Sequence, residues 1–195
     1  MDRAKVIKAA ILTILMVALI SGYYSYLTSR NSANNSQNGS EKNPQEVTVV
    51  QELIARDSYK EYPQTPVQVV KYYNEITACF YNEEYTDDEL IALAKMARNL
   101  YDQELVDNQS FDAYLDKLKT DIRVFNEGNI TIYSSEVSAS TDVEFFTHDG
   151  YECAKLNVIY TLKSGTNYQT TKEVYILRKD EAGHWKIYGF ALAEE

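Results

Sequence analysis

The sequence is short of the residues that most active sites use. It holds two histidines and two cysteines in 195 residues. It contains no G-x-S-x-G, no Walker loop and no H-E-x-x-H. Motif-bearing serine hydrolases, phosphate-cradling loops and helical zinc proteases are therefore excluded as readings. No C-x-x-C and no Cys/His cluster gives the ligand spacing of a structural zinc site. No metal and no cofactor are expected. No catalytic, cofactor-binding or metal-ligating residue is assigned, and the chain leans away from being an enzyme.

Basic charge is scarce as well. Lys and Arg number 19 against 29 Asp and Glu, for a net charge of −10. Residues 1–30 hold Arg3, Lys5, Lys8 and Arg30 against Asp2, so this segment is +3 and the rest carries −13. Phosphate binding needs clustered Lys and Arg, so nucleic acid is not expected as a partner. The acidity predicts solubility and repulsion from anionic surfaces. Tyrosine is abundant at 17 residues. It can pave a ligand groove, but it also fills half-buried sheet surfaces.

No charge interrupts the stretch from Ala9 to Ser29. The run "AAILTILMVALISGYYSYL" is long enough to cross the hydrocarbon core as a helix. The sequence thus predicts a single transmembrane helix spanning about 6–27, a length set by the same rule. Lys5 and Lys8 precede it, so the positive-inside rule puts the N-terminus in the cytoplasm and the remainder outside the cell membrane. A cleaved signal peptide needs a shorter apolar run and an A-x-A-like site, and none ends this one. No Cys follows the run, which excludes a lipoprotein anchor. Next comes "NSANNSQNGSEKNPQE", polar and free of large apolar residues, which reads as a flexible tether. The expected organisation is a tail and anchor at 1–30, a linker at 31–45 and an extracytoplasmic domain at 46–195, with its core at 65–192.

Within that domain the hydrophobic period changes once. "EVTVVQELIARD" fits a helical stripe, although "VTVV" favours a strand, and it is read as a short helix. Thr65, Pro66 and Gln68 open a helix with a capping box. Thr86 and Glu89 open a second, whose stripe runs from Leu90 to Leu105. A third spans about Phe111 to Phe125, with Gly128 as its stop. From Asn129 the period falls to two. Asp149-Gly150, "SGTN" and "DEAG" mark hairpin turns between strands. Ala154, Leu156, Val158, Tyr160 and Leu162 share one face. Helices first and an antiparallel meander afterwards imply an α+β domain, about three helices on a sheet of four to five strands.

This order closes on a strand that begins at Trp185 and alternates through "WKIYGFAL". It resembles the NTF2-like (cystatin-like cone) domains, in which a curved sheet wraps helices around a conical interior. The resemblance covers about Thr65 to Leu192 and implies that Trp185 plugs the cone. "YPQTPVQVVKYYNEITACFYNEEYTDDELIALA" and "YILRKDEAGHWKIYGFAL", with the leading apolar run, resemble an uncharacterised family of clostridial single-pass membrane proteins with an NTF2-like ectodomain. That family brings no functional residues to carry over.

Individual residues point to little chemistry. His148 and His184 are expected at hairpin tips, where solvent outweighs catalysis. Asp142 and Glu144 flank Val143 on one strand; paired carboxylates can divide acid and base duties, but at a sheet edge they deter aggregation. "NEEYTDDE" lacks the alternating ligands and central Gly of a calcium loop. Cys79 and Cys153 are expected as free, half-buried thiols. Three readings stay open. One is a module that binds or scaffolds an envelope component or a second copy of itself. Another is a small-molecule-binding or catalytic cone lined by tyrosines such as Tyr73 and Tyr160. The third is a subunit of an envelope-spanning secretion or conjugation assembly, an analogy of architecture alone.

Overall fold

The computed structural model describes residues 47–57 and 61–193. Five α-helices come first: α1 (Val49–Asp57), α2 (Pro66–Asn82), α3 (Asp87–Asn99), α4 (Gln103–Asp107) and α5 (Phe111–Glu127). Five strands follow: β1 (Ile130–Val137), β2 (Glu144–His148), β3 (Tyr151–Ser164), β4 (Asn167–Lys179) and β5 (Trp185–Leu192). A short 3₁₀ turn, Ser140–Asp142, separates β1 from β2.

Local side chains start each helix. Thr65 accepts from the Gln68 amide and the Gln68 side chain answers at the Thr65 amide, with Pro66 in the first turn. Thr86 and Glu89 do the same for α3. Both boxes satisfy donors that the helix itself leaves open. The same device settles the ambiguous segment at 46–57. Thr48 and Gln51 exchange side-chain and backbone bonds at 3.2 and 3.3 Å, and Val50 and Leu53 are buried. The helical stripe thus wins over the β-branched run.

Two features of the expected fold are corrected. Five helices are described instead of about three. The stripe from Leu90 to Leu105 is not one helix. α3 ends at Asn99 and Leu105 belongs to α4, which the Asp102 side chain caps at the Glu104 amide. Between them Leu100 and Asp102 bond Ile187 on β5, so the connection adds a parallel bridge to the sheet edge. The expected transmembrane helix at 6–27 lies outside the described residues. Among those described, no helix is long and apolar enough to cross a membrane.

The sheet order is β1-β3-β4-β5, and β2 also pairs with β3, all antiparallel. β1 and β2 lie along the same edge of the long β3. β1 pairs with Val158–Ser164 and β2 with Tyr151–Lys155. Register shifts occur between Ile132 and Ser134 and between Ile176 and Leu177. Such bulges bend a strand. The β2–β3 turn uses Asp149 at φ 50° and Gly150 at φ 84°, a backbone that Gly adopts without steric cost.

One face of the sheet carries the core. β3 buries Ala154, Leu156, Val158 and Tyr160, and β4 buries Glu173, Tyr175 and Leu177. β5 adds Trp185 and Ile187. Against them pack Val69, Val70, Ile76 and Phe80 of α2, and Leu93, Ala94 and Ala97 of α3. Leu118 and Ile122 of α5 join the same cluster. Leu162, expected on this face, is half-buried.

Candidate functional site

Strand alternation puts a carboxylate in this core. Glu173 follows the same period of two as Tyr175 and Leu177. It sits opposite Val158 on β3 and Leu192 on β5. It is 1% exposed, and neither carboxylate oxygen has a hydrogen-bond partner. A buried, unpaired carboxylate costs several kcal/mol when charged, so it favours the protonated form. Burial pushes the Glu173 pKa from 4.5 up to about 7, and the nearby Tyr175 hydroxyl opposes that rise without completing a bond.

A chain of phenols surrounds it. The Tyr160 hydroxyl donates to Asn74 Oδ1 at 2.6 Å and lies 2.7 Å from the Tyr175 hydroxyl. A phenol has one proton to give. With the Tyr160 proton on Asn74, Tyr175 donates to Tyr160 and has none left for Glu173. Asn74 is itself buried, and its Nδ2 has no partner. Tyr73 and Tyr101 share a further bond at 2.9 Å. Burial holds the Tyr101, Tyr160 and Tyr175 hydroxyls well above the usual range, with neighbouring phenols and Glu173 adding to it. All of them stay neutral at physiological pH.

Aromatic rings join the two sides of the site. Tyr175 stacks on Phe190 of β5 at 5.2 Å, and Tyr73 lies 6.1 Å from both. Tyr101 is 5.7 Å from Tyr73 and 6.1 Å from Tyr114 of α5. α5 packs mainly on α2 and β1, whereas β5 packs on β4, α2 and α4. Phe190, Tyr73, Tyr101 and Tyr114 thus run as a series of ring contacts from β5 to α5. Tyr101, Tyr114 and Phe190 remain partly accessible, whereas Tyr73 and Tyr175 beside them are buried.

Other polar groups are structural. Arg178 makes a two-pronged bond to the buried Asp102, at 2.9 and 2.5 Å, and a third to Glu104 at 2.9 Å. Its guanidinium lies between the Tyr151 and Tyr188 rings. It bolts the α3–α4 connection to β4. Arg98 bonds the Val106 and Gln109 carbonyls at the end of α4. An open groove of about 720 Å³ lies elsewhere, between the α2–α3 connection and the start of β1, lined by Tyr81, Glu83, Tyr85, Ile122 and Ile130. Beside it the Asn82 amide bonds both the N–H and the C=O of Ile132, and so occupies part of the β1 edge.

The residues singled out in the sequence do not converge. His148 is exposed at the β2–β3 turn, 3.5 Å from Asp149. His184 pairs with Asp180 beside the Tyr62 ring. Asp142 lies in the 3₁₀ turn, not on a strand with Glu144, because the chain breaks between β1 and β2. Glu144 instead meets Lys155 at 3.2 Å. Asp87 of the "NEEYTDDE" run meets Lys119, and Glu89 caps α3. Among the described residues no group of three or more His, Cys, Asp or Glu is placed to hold a metal. Cys79 and Cys153 are free and more deeply buried than expected. Trp185 is 7% exposed within the core, at the end of the β4–β5 pairing away from Glu173, with Phe145 at 5.8 Å. Tyr73 and Tyr160 do meet in one cluster. Glu173 was not visible as a member, because the "VYIL" that follows it is apolar on both strand faces and does not mark which face is inward.

No curated protein matches the chain. A family model described as "Domain of unknown function (DUF6715)" matches residues 1–190, and the chain belongs to that uncharacterised family.

Proposed function

We propose that residues 47–193 are a small-molecule-binding domain of the NTF2-like type. In this reading the uncharged run from Ala9 to Ser29 holds it at the outer face of a cell membrane, with the N-terminus cytoplasmic. The observation that carries it is Glu173: a buried carboxylate with two unpartnered oxygens, with the unpartnered Asn74 Nδ2 in the same tyrosine cluster and partly accessible aromatic rings around it. Native interiors leave few such groups unsatisfied, and each one calls for an explanation. A bound ligand supplies one. Pockets that bind small molecules are mostly apolar and aromatic, with a few convergent polar groups. The reading is binding instead of turnover. Glu173 has no hydrogen-bonded partner with which to divide acid and base roles, and both histidines lie elsewhere.

Native mass spectrometry of the full-length chain, released from membranes of its own cells, tests this. A co-purified small molecule at one per chain, lost in Tyr160→Phe and Glu173→Gln, supports the reading. A ligand-free mass together with a crystal structure in which the chain itself supplies a hydrogen-bond partner to Glu173 overturns it.

A second reading, the protein-binding module, is favoured by β2. All five of its residues are exposed, and Phe145 is 62% exposed. An exposed edge strand is a template for pairing with another chain. Crosslinking from position 145 in intact cells that captures no envelope protein and no second copy refutes it.

A further inference from the structure

Resting on the reading of the interior as a ligand site, we infer that the ligand is an organic cation: an amine whose ammonium meets Glu173 and whose apolar body lies against Tyr175 and Phe190. The argument is one of missing donors and missing charge. Glu173 offers two acceptor oxygens that no described residue uses. The Tyr160 proton is on Asn74 and the Tyr175 proton on Tyr160, so neither is free for the carboxylate. The Asn74 Nδ2 is left without a partner, but it carries no charge. A positive charge must therefore arrive with the ligand.

Among the described residues no cation pairs with the carboxylate. Its own strand contributes Tyr175, β3 contributes Tyr160 and α2 contributes Tyr73, all neutral. The inward residues of β5 are Trp185, Ile187, Phe190 and Leu192. Lys117 of α5 is taken up by Asp121 of the same helix, at 3.2 Å. Arg98 bonds two backbone carbonyls through Nη2 and lies over the Phe111 and Tyr114 rings, with its Nη1 unpartnered there. An ammonium supplies three donors and the missing positive charge together. The stacked Tyr175–Phe190 pair and the Tyr73 ring offer the negative faces that attract such a cation. An anion would bury a second negative charge beside the first. A neutral alcohol would leave the carboxylate charge uncompensated.

Calorimetry of the full-length chain in detergent at about pH 8, where a pKa of about 7 leaves Glu173 mostly ionised, decides between three probes of one shape: benzylamine, benzyl alcohol and benzoate. Benzylamine binds at least about tenfold more tightly than benzyl alcohol, and benzoate more weakly than either. Glu173→Gln brings amine and alcohol to within about twofold. In the unaltered chain the preference for the amine shrinks as the pH falls below about 6, because Glu173 becomes protonated. This arm stands even if the variant fails to fold. Alcohol or benzoate binding as tightly as the amine overturns the cation class and leaves the ligand-site reading intact. Binding of none of the three, at any pH, overturns both.

Discussion

Replacing Glu173 by Gln should make the protein more stable at neutral and alkaline pH, although it removes a charge from an otherwise ordinary strand. In the folded chain burial raises the carboxyl pKa from 4.5 to about 7. The folded state therefore holds a proton that the unfolded chain has released. Stability contributed by that proton is fully present below about pH 4.5 and is lost as pH rises through 7. Two and a half pKa units correspond to about 3 kcal/mol. Glu173 is almost fully buried, so little of this is screened by solvent. Gln has nearly the shape of the protonated acid and does not titrate. Urea unfolding of both full-length chains between about pH 4.5 and 8.5 reads the difference. The two curves should agree at the acid end and separate by up to about 3 kcal/mol at pH 8, with the variant more stable. Parallel curves, or a variant less stable at pH 8, would refute the argument that the carboxylate is desolvated and unpaired.

Other perturbations probe the scaffold around it. Arg178→Ala strands the buried Asp102 carboxylate and should cost about 3–5 kcal/mol, read as a lower urea midpoint. Arg178→Lys should recover little of it, because lysine cannot make the two-pronged bond. Gly128→Ala places a methyl group 2.9 Å from Ile130 Cδ1 and 3.3 Å from the Val124 carbonyl. It should lower the melting temperature by an amount equivalent to about 1–2 kcal/mol. Cys79, whose thiol burial pushes up to about 11, and Cys153 should react with a thiol reagent only after denaturation. Rapid labelling of either in the native chain contradicts the packing of α2 on the sheet.

Legibility followed the range of the forces involved. Thr65–Gln68 and Thr86–Glu89 were readable because a capping box is closed within three residues. Thr48–Gln51 carries the same signal, but "VTVV" competes with it. The Asp149–Gly150 turn was readable because its backbone selects its residues. α4 was hidden because five residues make too short a period to separate from the preceding stripe. The break between β1 and β2 has no strong breaker in "SASTD", so Asp142 and Glu144 looked like strand partners. Tyr73 and Tyr160 could be nominated only as tyrosines. That Tyr160 bonds Asn74, 86 residues away, and that Tyr175 joins Tyr160 to Tyr73, is tertiary information. Gly128 shows a correct position with a different cause. It ends α5 with φ −82°, an ordinary helical value, and the constraint on a side chain there is the Ile130 side chain it would meet, not a left-handed backbone.

The most direct test is the titration of Glu173 itself, followed by carbon-13 NMR of the labelled side-chain carboxyl in the full-length chain and assigned by its loss in Glu173→Gln. A midpoint near 7 with slow solvent response is what the unpartnered, buried carboxylate requires. A midpoint near 4.5, the value of a free glutamate, would show the group solvated or paired and would remove the basis of the proposed site.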